Sequence, residues 1–395
     1  MNADIGFTEA QYGILASTAF TILFAISSLF AGNLADKYDR KILTLMSCTV
    51  WTLATFSQSI AHSYEEVLIA RFLMGGACAF AAPCAYSLIA DRVSEERAAL
   101  ANSIYSSGVY LGGALASLSL LIDDMIGWRD TMALNGWYGL LSVVISSFTL
   151  PFEQARSNTK NCHNVKDSSS LTRDVIEILS NPRVQYLLLA SSFRFSAGLI
   201  IAIWAPSYYK QAFPNNSSEY AVLNALIKGG IGMASGISGG YLAGFLKQVY
   251  RKDSSEGRTS IVNKYFDEDT VLLLVPILSS LLAIPTWYLT THTPQGKTAF
   301  ELSMFWLAVE YLVAECWFGP TIAVLQSSVE PSIRGTSQGL FVLVGALGNV
   351  SPSLLGWVYG NKTQFPLADL LGVSVCGGYL MSSLFFVASV GRKGK

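Results

Sequence analysis

Residues 32–41 read Gly-Asn-Leu-Ala-Asp-Lys-Tyr-Asp-Arg-Lys and carry five charged side chains between two long apolar segments. A polar stretch this short can only turn the chain back across a membrane. Its charges would then lie at the membrane surface, where they could hold or release a neighbouring helix. We therefore predict a ten-residue turn at 32–41 between two membrane-spanning helices.

The composition also indicates a membrane protein. Apolar residues make up 51% of the 395-residue chain and charged residues 13%, against about 25% charged in a typical soluble domain. The net charge of −1 provides no basic surface for nucleic acid. Metal-ligand, phosphate-binding and nucleophile motifs are absent from the sequence, so we expect no enzyme, no cofactor and no metal site.

Eleven segments are long and apolar enough to span a membrane, which takes roughly 20 residues in a helix. They lie at 9–31, 42–61, 66–90, 98–122, 130–150, 184–213, 219–247, 269–290, 299–328, 335–358 and 368–390. Most Lys and Arg residues fall in one set of connecting loops, whereas the opposite loops hold Arg129, Lys297 and Lys362. The positive-inside rule then places Met1 outside and Lys395 in the cytoplasm.

A polar stretch divides the chain into two halves. We predict a five-span bundle at 1–150, a cytoplasmic linker at 151–183 and a six-span bundle at 184–395. Gly32-Asn-Leu-Ala35 recurs as Gly240-Tyr-Leu-Ala243 at the same end of a span, which indicates two halves built on one plan. The first copy follows one helix of its half and the second follows two. We therefore expect the first half to lack its opening helix and the sequence to be truncated at its start.

The 32–41 segment resembles the signature loop of the major facilitator superfamily. Three further motifs resemble helices of that superfamily: Arg71-x-x-x-Gly75 through Pro83, Gly108-x-x-x-Gly112-Gly113, and Gly127-Trp128-Arg129. The resemblance covers essentially the whole chain. It implies an all-α multi-pass membrane protein whose two helical bundles rock around a central site.

Within the superfamily, the chain looks closest to the Spinster-like branch. The matching features are Trp204-x-Pro206, Trp317-Phe-Gly-Pro320 and the acidic Glu310. Two features depart from that branch: Cys78 stands where a Glu is usual, and the acidic-basic pair of the branch's first helix is missing.

One group of residues is predicted to gate transport from the signature loop and its neighbours. It comprises Gly32, Asp36, Lys37, Asp39, Arg40, Lys41, Asp91 and Arg97. Asp36 would face helix ends of the other bundle, and a charge pair there would close the cytoplasmic side. The alternative is that these charges only fix the orientation in the membrane.

Ionisable residues at membrane depth usually mark function. The candidates for binding substrate or a proton are Arg71, Arg194, Lys228, Glu310 and Glu315. A cation of this set would attract a carboxylate or an anionic headgroup, and Glu310 would take up and release a proton. Alternatively, the charges simply neutralise one another. Trp204, Tyr311 and Trp317 would line a cavity, or else belong to the interfacial aromatic belt.

Together these features predict a secondary active transporter that works by alternating access. Its solute would be organic, lysolipid-like or otherwise amphiphilic, with proton coupling, and membrane lipids would be its other partners. A carrier of small organic anions is the first alternative. A non-transporting membrane receptor or scaffold that retains the fold is the second.

Overall fold

The computed structural model describes residues 2–6, 11, 14–15, 19–150, 171–256, 266–294, 296, 298–348, 350–360 and 366–390. Helices account for nearly all of them, and no strand occurs in these ranges. The helices are α1 Asn2–Ile5, α2 Ala19–Lys37, α3 Arg40–Ser59, α4 Tyr64–Cys78, α5 Ala81–Arg92, α6 Glu95–Ile126, α7 Trp128–Thr149, α8 Leu171–Ser180, α9 Pro182–Ala212, α10 Ser217–Leu226, α11 Met233–Ser255, α12 Leu274–Thr291, α13 Ala299–Ala314, α14 Phe318–Ser327, α15 Arg334–Leu347, α16 Val350–Gly360 and α17 Leu367–Val390.

Eight stretches of the described residues are long and apolar enough to cross a membrane. They are Ala19–Lys37, Tyr64–Arg92, Pro182–Ala212, Glu219–Ser255, Thr270–Thr291, Ala299–Ser327, Pro331–Gly356 and Leu367–Val390. Each coincides with a predicted span or contains most of it. Helices also occupy the other three predicted spans, as α3, α6 and α7. The predicted all-α multi-pass class is therefore confirmed.

The predicted ten-residue turn at 32–41 is wrong in its extent. Helix α2 continues to Lys37, and α3 begins at Arg40. The turn is this short because Asp39 caps α3: its carboxylate accepts hydrogen bonds from the backbone N–H groups of Lys41 and Ile42. Asp36 therefore lies on the last turn of α2.

Two predicted spans are interrupted near a proline. The span at 66–90 breaks between Cys78 and Ala81, and the span at 299–328 passes through a short 3₁₀ segment at Glu315–Trp317. Proline has no N–H for the carbonyl four residues earlier and its ring crowds that carbonyl. Pro83 lies four residues after Ala79, where the first interruption begins, and Pro320 lies four residues after Cys316, inside the 3₁₀ segment. The prolines therefore explain where both helices are interrupted.

The span predicted at 219–247 is longer than expected and is not a uniform α-helix. It consists of α10, a π-helical segment at Ile227–Gly232, and α11, which continues to Ser255. In the predicted linker at 151–183, residues 151–170 lie outside the described residues. The remainder is not all loop, because Leu171–Ser180 forms α8.

The described residues group into two compact units. Unit 1 comprises Met1–Asp91, Leu118–Ile178 and Val329–Ala346, and unit 2 comprises Arg92–Ser117, Leu179–Ser328 and Leu347–Lys395. Each unit therefore contains helices from both predicted halves of the sequence. A large buried apolar cluster lies in unit 2 and includes Tyr209, Tyr220, Phe300 and Tyr311.

Candidate functional site

In unit 1, Asp36 caps the start of α15. Its Oδ1 accepts a 2.7 Å hydrogen bond from the backbone N–H of Gly335, and its Oδ2 accepts from both the N–H and the Oγ1 of Thr336, each at 2.8 Å. The first N–H groups of a helix have no partner within the helix, and the helix dipole favours a negative charge beside them. Asp36 therefore links two helices that are about 300 residues apart in the chain.

Asp91 joins two arginines next to this cap. It accepts 2.7 Å and 3.2 Å hydrogen bonds from Arg40 and Arg334, respectively. The Arg40 side chain is 2% exposed and that of Asp91 is 25% exposed. We call Asp36, Arg40, Asp91 and Arg334 the loop cluster. The loop cluster connects residues 32–41 to α5 and α15 by charge-assisted hydrogen bonds, which are stronger than neutral ones.

Close backbone packing supports the loop cluster. A Cβ on Gly32 would lie 2.3 Å from the carbonyl oxygen of Gly335, so only glycine permits this approach of α2 to α15. Lys41 is buried, whereas Lys37 is exposed and has no side-chain partner among the described residues. Asn33 donates a 3.1 Å hydrogen bond to Asp174 of α8, a contact that the sequence did not predict.

In unit 2, four of the five predicted membrane-depth charges come together. Arg194 of α9 donates to the carbonyl oxygen of Ala314 at 2.7 Å and pairs with Glu315 Oε1 at 3.5 Å. Glu310, one turn earlier on α13, is 1% exposed, and Arg194 is 2% exposed. The charges of Glu310 and Glu315 both act on Lys228. We call Arg194, Lys228, Glu310 and Glu315 the charged site.

Two tyrosines that the sequence analysis missed complete the charged site. The Tyr379 hydroxyl of α17 donates to Glu310 Oε1, and the Arg194 guanidinium carbon lies 4.7 Å from the centroid of the same ring. The Tyr110 hydroxyl of α6 donates to Glu315 Oε2. A hydroxyl at membrane depth needs an internal partner, so a tyrosine near the middle of a span was the available signal.

Lys228 differs from the other members of the charged site. It is partly exposed and lies in the π-helical segment Ile227–Gly232. Its ammonium group makes no hydrogen bond or ion pair with any residue that the structure describes. Such π-helical turns occur frequently at functional sites, and this one carries one cation of the charged site.

Glu310 also has an unused atom. Its Oε1 accepts from Tyr379, but its Oε2 is buried without a hydrogen-bond partner in the described part of the chain. A buried carboxylate oxygen without a partner is unfavourable when it carries charge. A proton on Oε2 removes that uncompensated charge, so the geometry suits reversible protonation.

The remaining predicted site residues lie elsewhere. Arg71 is in α4 of unit 1, partly buried. Arg97 is exposed, and its side chain has no partner among the described residues. Trp204 donates its indole N–H to the carbonyl of Pro352 at 3.0 Å and so packs on α16. Trp317 does reach the charged site, since the Arg194 guanidinium carbon lies 5.4 Å from its ring centroid.

Tyr311 is buried beside the π-helical segment. A Cβ on Gly232 would lie 3.2 Å from its ring, so the two residues are in close contact. The aromatic prediction is thus divided: Tyr311 and Trp317 lie at the charged site and Trp204 lies apart from it.

A second ion cluster, which the sequence did not predict, lies at the far end of α11. Arg251 pairs with Glu96 and, at 2.5 Å, with Glu268, while Lys247 lies 3.4 Å from Glu95 and 3.6 Å from Asp269. A hydrogen bond from its own backbone N–H, followed by those from Arg251 and Ser94, holds the pKa of Glu96 below its usual value. We call Glu95, Glu96, Lys247, Arg251, Glu268 and Asp269 the seam cluster.

Comparison with known proteins identifies the family. Residues 1–352 match the Major Facilitator Superfamily, and the chain belongs to this superfamily of membrane transporters. The predicted superfamily is thereby confirmed, as is the expectation that the chain is not an enzyme.

Individual relatives are distant but cover nearly the whole chain. The probable sulfoacetate transporter SauU of Cupriavidus necator is 23% identical over 97% of this chain and 86% of its own length. The hexuronate transporter of Bacillus subtilis is 24% identical over 93% of this chain and 83% of its own.

A solved structure has the same fold and comes from the branch suggested by the motifs. It is a bacterial homologue of the human lysosomal transporter Spinster, with 16% identity, a TM-score of 0.54, and coverage of 97% of this chain and 88% of that one. A curated relative of that branch, protein spinster homolog 3 of Danio rerio, is 23% identical over 92% of this chain and 72% of its own length, and transporters of other branches match as well. The protein is an integral, multi-pass membrane protein.

Proposed function

We propose that the protein is a proton-coupled carrier of small organic anions that works by alternating access. The observation that carries this proposal is a cation and an acid in one charged site: Lys228 makes no hydrogen bond or ion pair with the described residues, and Glu310 Oε2 is buried without a partner among them. An anion has a cation to bind, and a proton has an oxygen to bind, within one site.

The charges of the site explain why the two ligands would travel together. Arg194 pairs with Glu315, so this pair is neutral as a unit. With Glu310 ionised, Lys228 faces an anion and the site has no net charge. With Glu310 protonated, the remaining carboxylate that acts on Lys228 is Glu315, which is already paired with Arg194, and a monovalent anion neutralises the site. Anion binding and protonation of Glu310 therefore favour each other, which is the requirement for symport.

Two relatives support an anionic solute. The proteins described as a sulfoacetate transporter and a hexuronate transporter are named for organic anions and align with nearly the whole chain. The analogy extends to a class of solute, carboxylates or sulfonates, and not to one compound.

A lysolipid-like amphiphile is the second candidate. The observation that favours it is the buried aromatic cluster of unit 2. In this cluster the ring centroids of Tyr209 and Tyr220 lie 4.3 Å apart, and the cluster includes Tyr311, which follows Glu310 in the sequence. An amphiphile would place its headgroup at Lys228 and its apolar part along these rings.

The loop cluster would set the conformational equilibrium of the carrier. We place it on the cytoplasmic side, following the distribution of Lys and Arg residues. There, the Asp36 cap and the Arg40–Asp91–Arg334 bridge would stabilise one state, and their rupture would accompany the transition to the other.

Uptake into proteoliposomes tests the proposal. Wild-type protein should accumulate radiolabelled glucuronate, a hexuronate, when the outside is acidic. Lys228→Gln should reduce uptake at least about tenfold, because a charge-assisted contact is worth roughly 1.5–3 kcal/mol. Lys252→Gln is the matched control, since Lys252 is exposed on α11 and should transport as the wild type does.

Each other outcome has a definite meaning. Uptake that Lys228→Gln leaves unchanged contradicts the anion site. Glucuronate that is not taken up, together with uptake of lysophosphatidylcholine, favours the second candidate. Failure to transport either probe, by protein that is folded and correctly inserted, favours the non-transporting receptor.

A further inference from the structure

A row of glycines packs against α6; it begins at the end of the π-helical segment and continues along α11. Gly232, Gly236, Gly240 and Gly244 recur at every fourth position and so lie along one side of the helix. A Cβ at these glycines would lie, respectively, 3.3 Å from the Tyr110 ring, 3.4 Å from the same ring, 2.6 Å from the Ala99 carbonyl oxygen and 2.9 Å from the Glu96 carbonyl oxygen. Small residues in this spacing let two membrane helices approach closely.

The contacts run in opposite directions along the two helices, so α6 and α11 pack antiparallel. We call this contact the α6–α11 seam. One end holds Tyr110, whose hydroxyl binds Glu315 of the charged site. The other end holds Glu95 and Glu96, which pair with Lys247 and Arg251 in the seam cluster. Fifteen residues of helix separate Tyr110 from Glu95, which is about 22 Å.

We propose that Tyr110 is a positioning residue that transmits the state of the Arg194–Glu315 pair along the α6–α11 seam to the seam cluster. The proposal rests on the proposed function, in which a transported anion occupies the charged site. It adds that α6 responds when an anion occupies the charged site, and that the ion pairs of the seam cluster change as a result.

Glu315 is held by donors from two different helices. Arg194 of α9 binds Oε1, and Tyr110 of α6 binds Oε2. An anion bound at Lys228 would lie in the same charged site as the Arg194–Glu315 pair, and it would also accept from the Arg194 guanidinium in competition with Glu315. Of its two donors, Glu315 then keeps Tyr110 and loses Arg194. Any movement of the Glu315 carboxylate therefore displaces the Tyr110 ring.

The ring has little freedom to move without α6. Its two edges pack on Gly232 and Gly236, where each added Cβ would lie 3.3–3.4 Å away. A displaced Tyr110 therefore shifts α6 along the glycine row, which offers no side chains to obstruct sliding. At the far end, Arg251 lies near Glu95, Glu96 and Glu268 at once. It can exchange one carboxylate for another as Glu95 and Glu96 move.

Hydrogen–deuterium exchange of the full-length protein in lipid nanodiscs tests this coupling without a substrate. The reporter is the backbone amide exchange of residues 96–104, at the start of α6 and remote from Tyr110. Glu315→Gln removes the carboxylate, and Tyr110→Phe removes the hydroxyl while keeping the ring. The control is Tyr208→Phe, which removes a hydroxyl that is hydrogen bonded to the Thr291 carbonyl at 3.0 Å.

Each single variant should raise exchange at 96–104 by about threefold or more, since local opening reports the loss of seam contacts. The Glu315→Gln/Tyr110→Phe double variant should show no further increase, because both changes break the same link. Tyr208→Phe should leave this segment unchanged. Additive effects, or an equal response in Tyr208→Phe, would overturn the proposal.

The two single variants act on different helices, so misfolding of one does not remove the test. Normal coupling in this experiment combined with absent glucuronate uptake would count against the proposed function alone. Glucuronate uptake that depends on Lys228, combined with additive exchange effects, would count against the role of Tyr110 alone.

Discussion

Asp36 Oδ1 accepts a 2.7 Å hydrogen bond from the backbone N–H of Gly335, so a residue of the signature segment caps a helix that begins about 300 positions later. Asp36→Asn should lower the free energy of unfolding by roughly 1–2 kcal/mol. The amide has one acceptor oxygen where the carboxylate has two, and the substitution removes the negative charge beside the helix N-terminus. Denaturation of the purified protein in detergent measures this.

The control for the cap is Lys37→Gln, because Lys37 is adjacent in sequence but exposed. It should change the free energy of unfolding by less than about 0.5 kcal/mol. Equal stability of Asp36→Asn and the wild type would show that the cap contributes nothing to the folded state.

The Arg40–Asp91 pair should be strongly coupled. Asp91→Asn leaves the buried Arg40 guanidinium with a weaker partner, and we expect a loss of about 2 kcal/mol, below the value for fully buried pairs because Asp91 is a quarter exposed. In a double-mutant cycle with Arg40→Gln, the coupling energy should exceed about 1 kcal/mol. Arg97→Gln, which alters an exposed arginine, should have little effect. A coupling energy near zero would contradict the bridge.

Gly32 should tolerate no side chain. In Gly32→Ala the new Cβ would lie 2.3 Å from a backbone oxygen of Gly335, and α2 and α15 must separate to accept it. We expect a loss of about 1–3 kcal/mol and a lower melting temperature. In the matched control Gly76→Ala, the Cβ would meet the end of the flexible Leu23 side chain at 3.1 Å, which can move aside. A Gly32→Ala variant as stable as Gly76→Ala would refute the close approach.

Asp267 should make stability depend on pH. Burial alone would raise the pKa of Asp267, but hydrogen bonds from Thr270 and the charge of Arg183, 2.8 Å away, outweigh it and lower the pKa below its ordinary value of 3.8. Because the pKa is lower in the folded state, ionised Asp267 stabilises the fold at any pH above the ordinary pKa. This contribution is lost as the pH falls through the folded-state pKa.

This pH dependence can be tested by measuring the melting temperatures of the wild type and of Asp267→Asn between pH 3 and pH 7. Asp267→Asn should be less stable than the wild type by about 1 kcal/mol at neutral pH, because the pair is partly exposed. The difference should shrink as the pH approaches 3. Asp130→Asn, at an exposed position, should follow the wild type throughout. A difference that grows in acid would reverse the assigned sign.

The helices and their class could be predicted from the sequence because their signals are local. Apolar runs of span length and short charged turns mark most helices within a few residues. The interruptions before Pro83 and Pro320 were less accessible, since a proline predicts a kink but not whether the chain bends or breaks. The extension of α11 to Ser255 depends on acids near Arg251 that are remote in sequence.

The charged site was predicted in part. Arg194, Lys228, Glu310 and Glu315 stand out because charge is rare in a membrane span. Tyr110 and Tyr379 carry no charge, and their roles follow only from the carboxylates they reach. The glycine row on α11 was visible as a repeat of four, but its partner helix was not. Tertiary contacts decide which helix a small-residue face receives.

In the proposed carrier, one site binds an organic anion and a proton together. Proton and glucuronate fluxes should therefore be measured simultaneously in the same proteoliposomes. A single proton should accompany each glucuronate, and Glu310→Gln should abolish the proton flux while glucuronate exchange across the membrane continues. Glucuronate uptake without proton flux in the wild type, or unchanged proton flux in Glu310→Gln, would rule out a shared site for the anion and the proton.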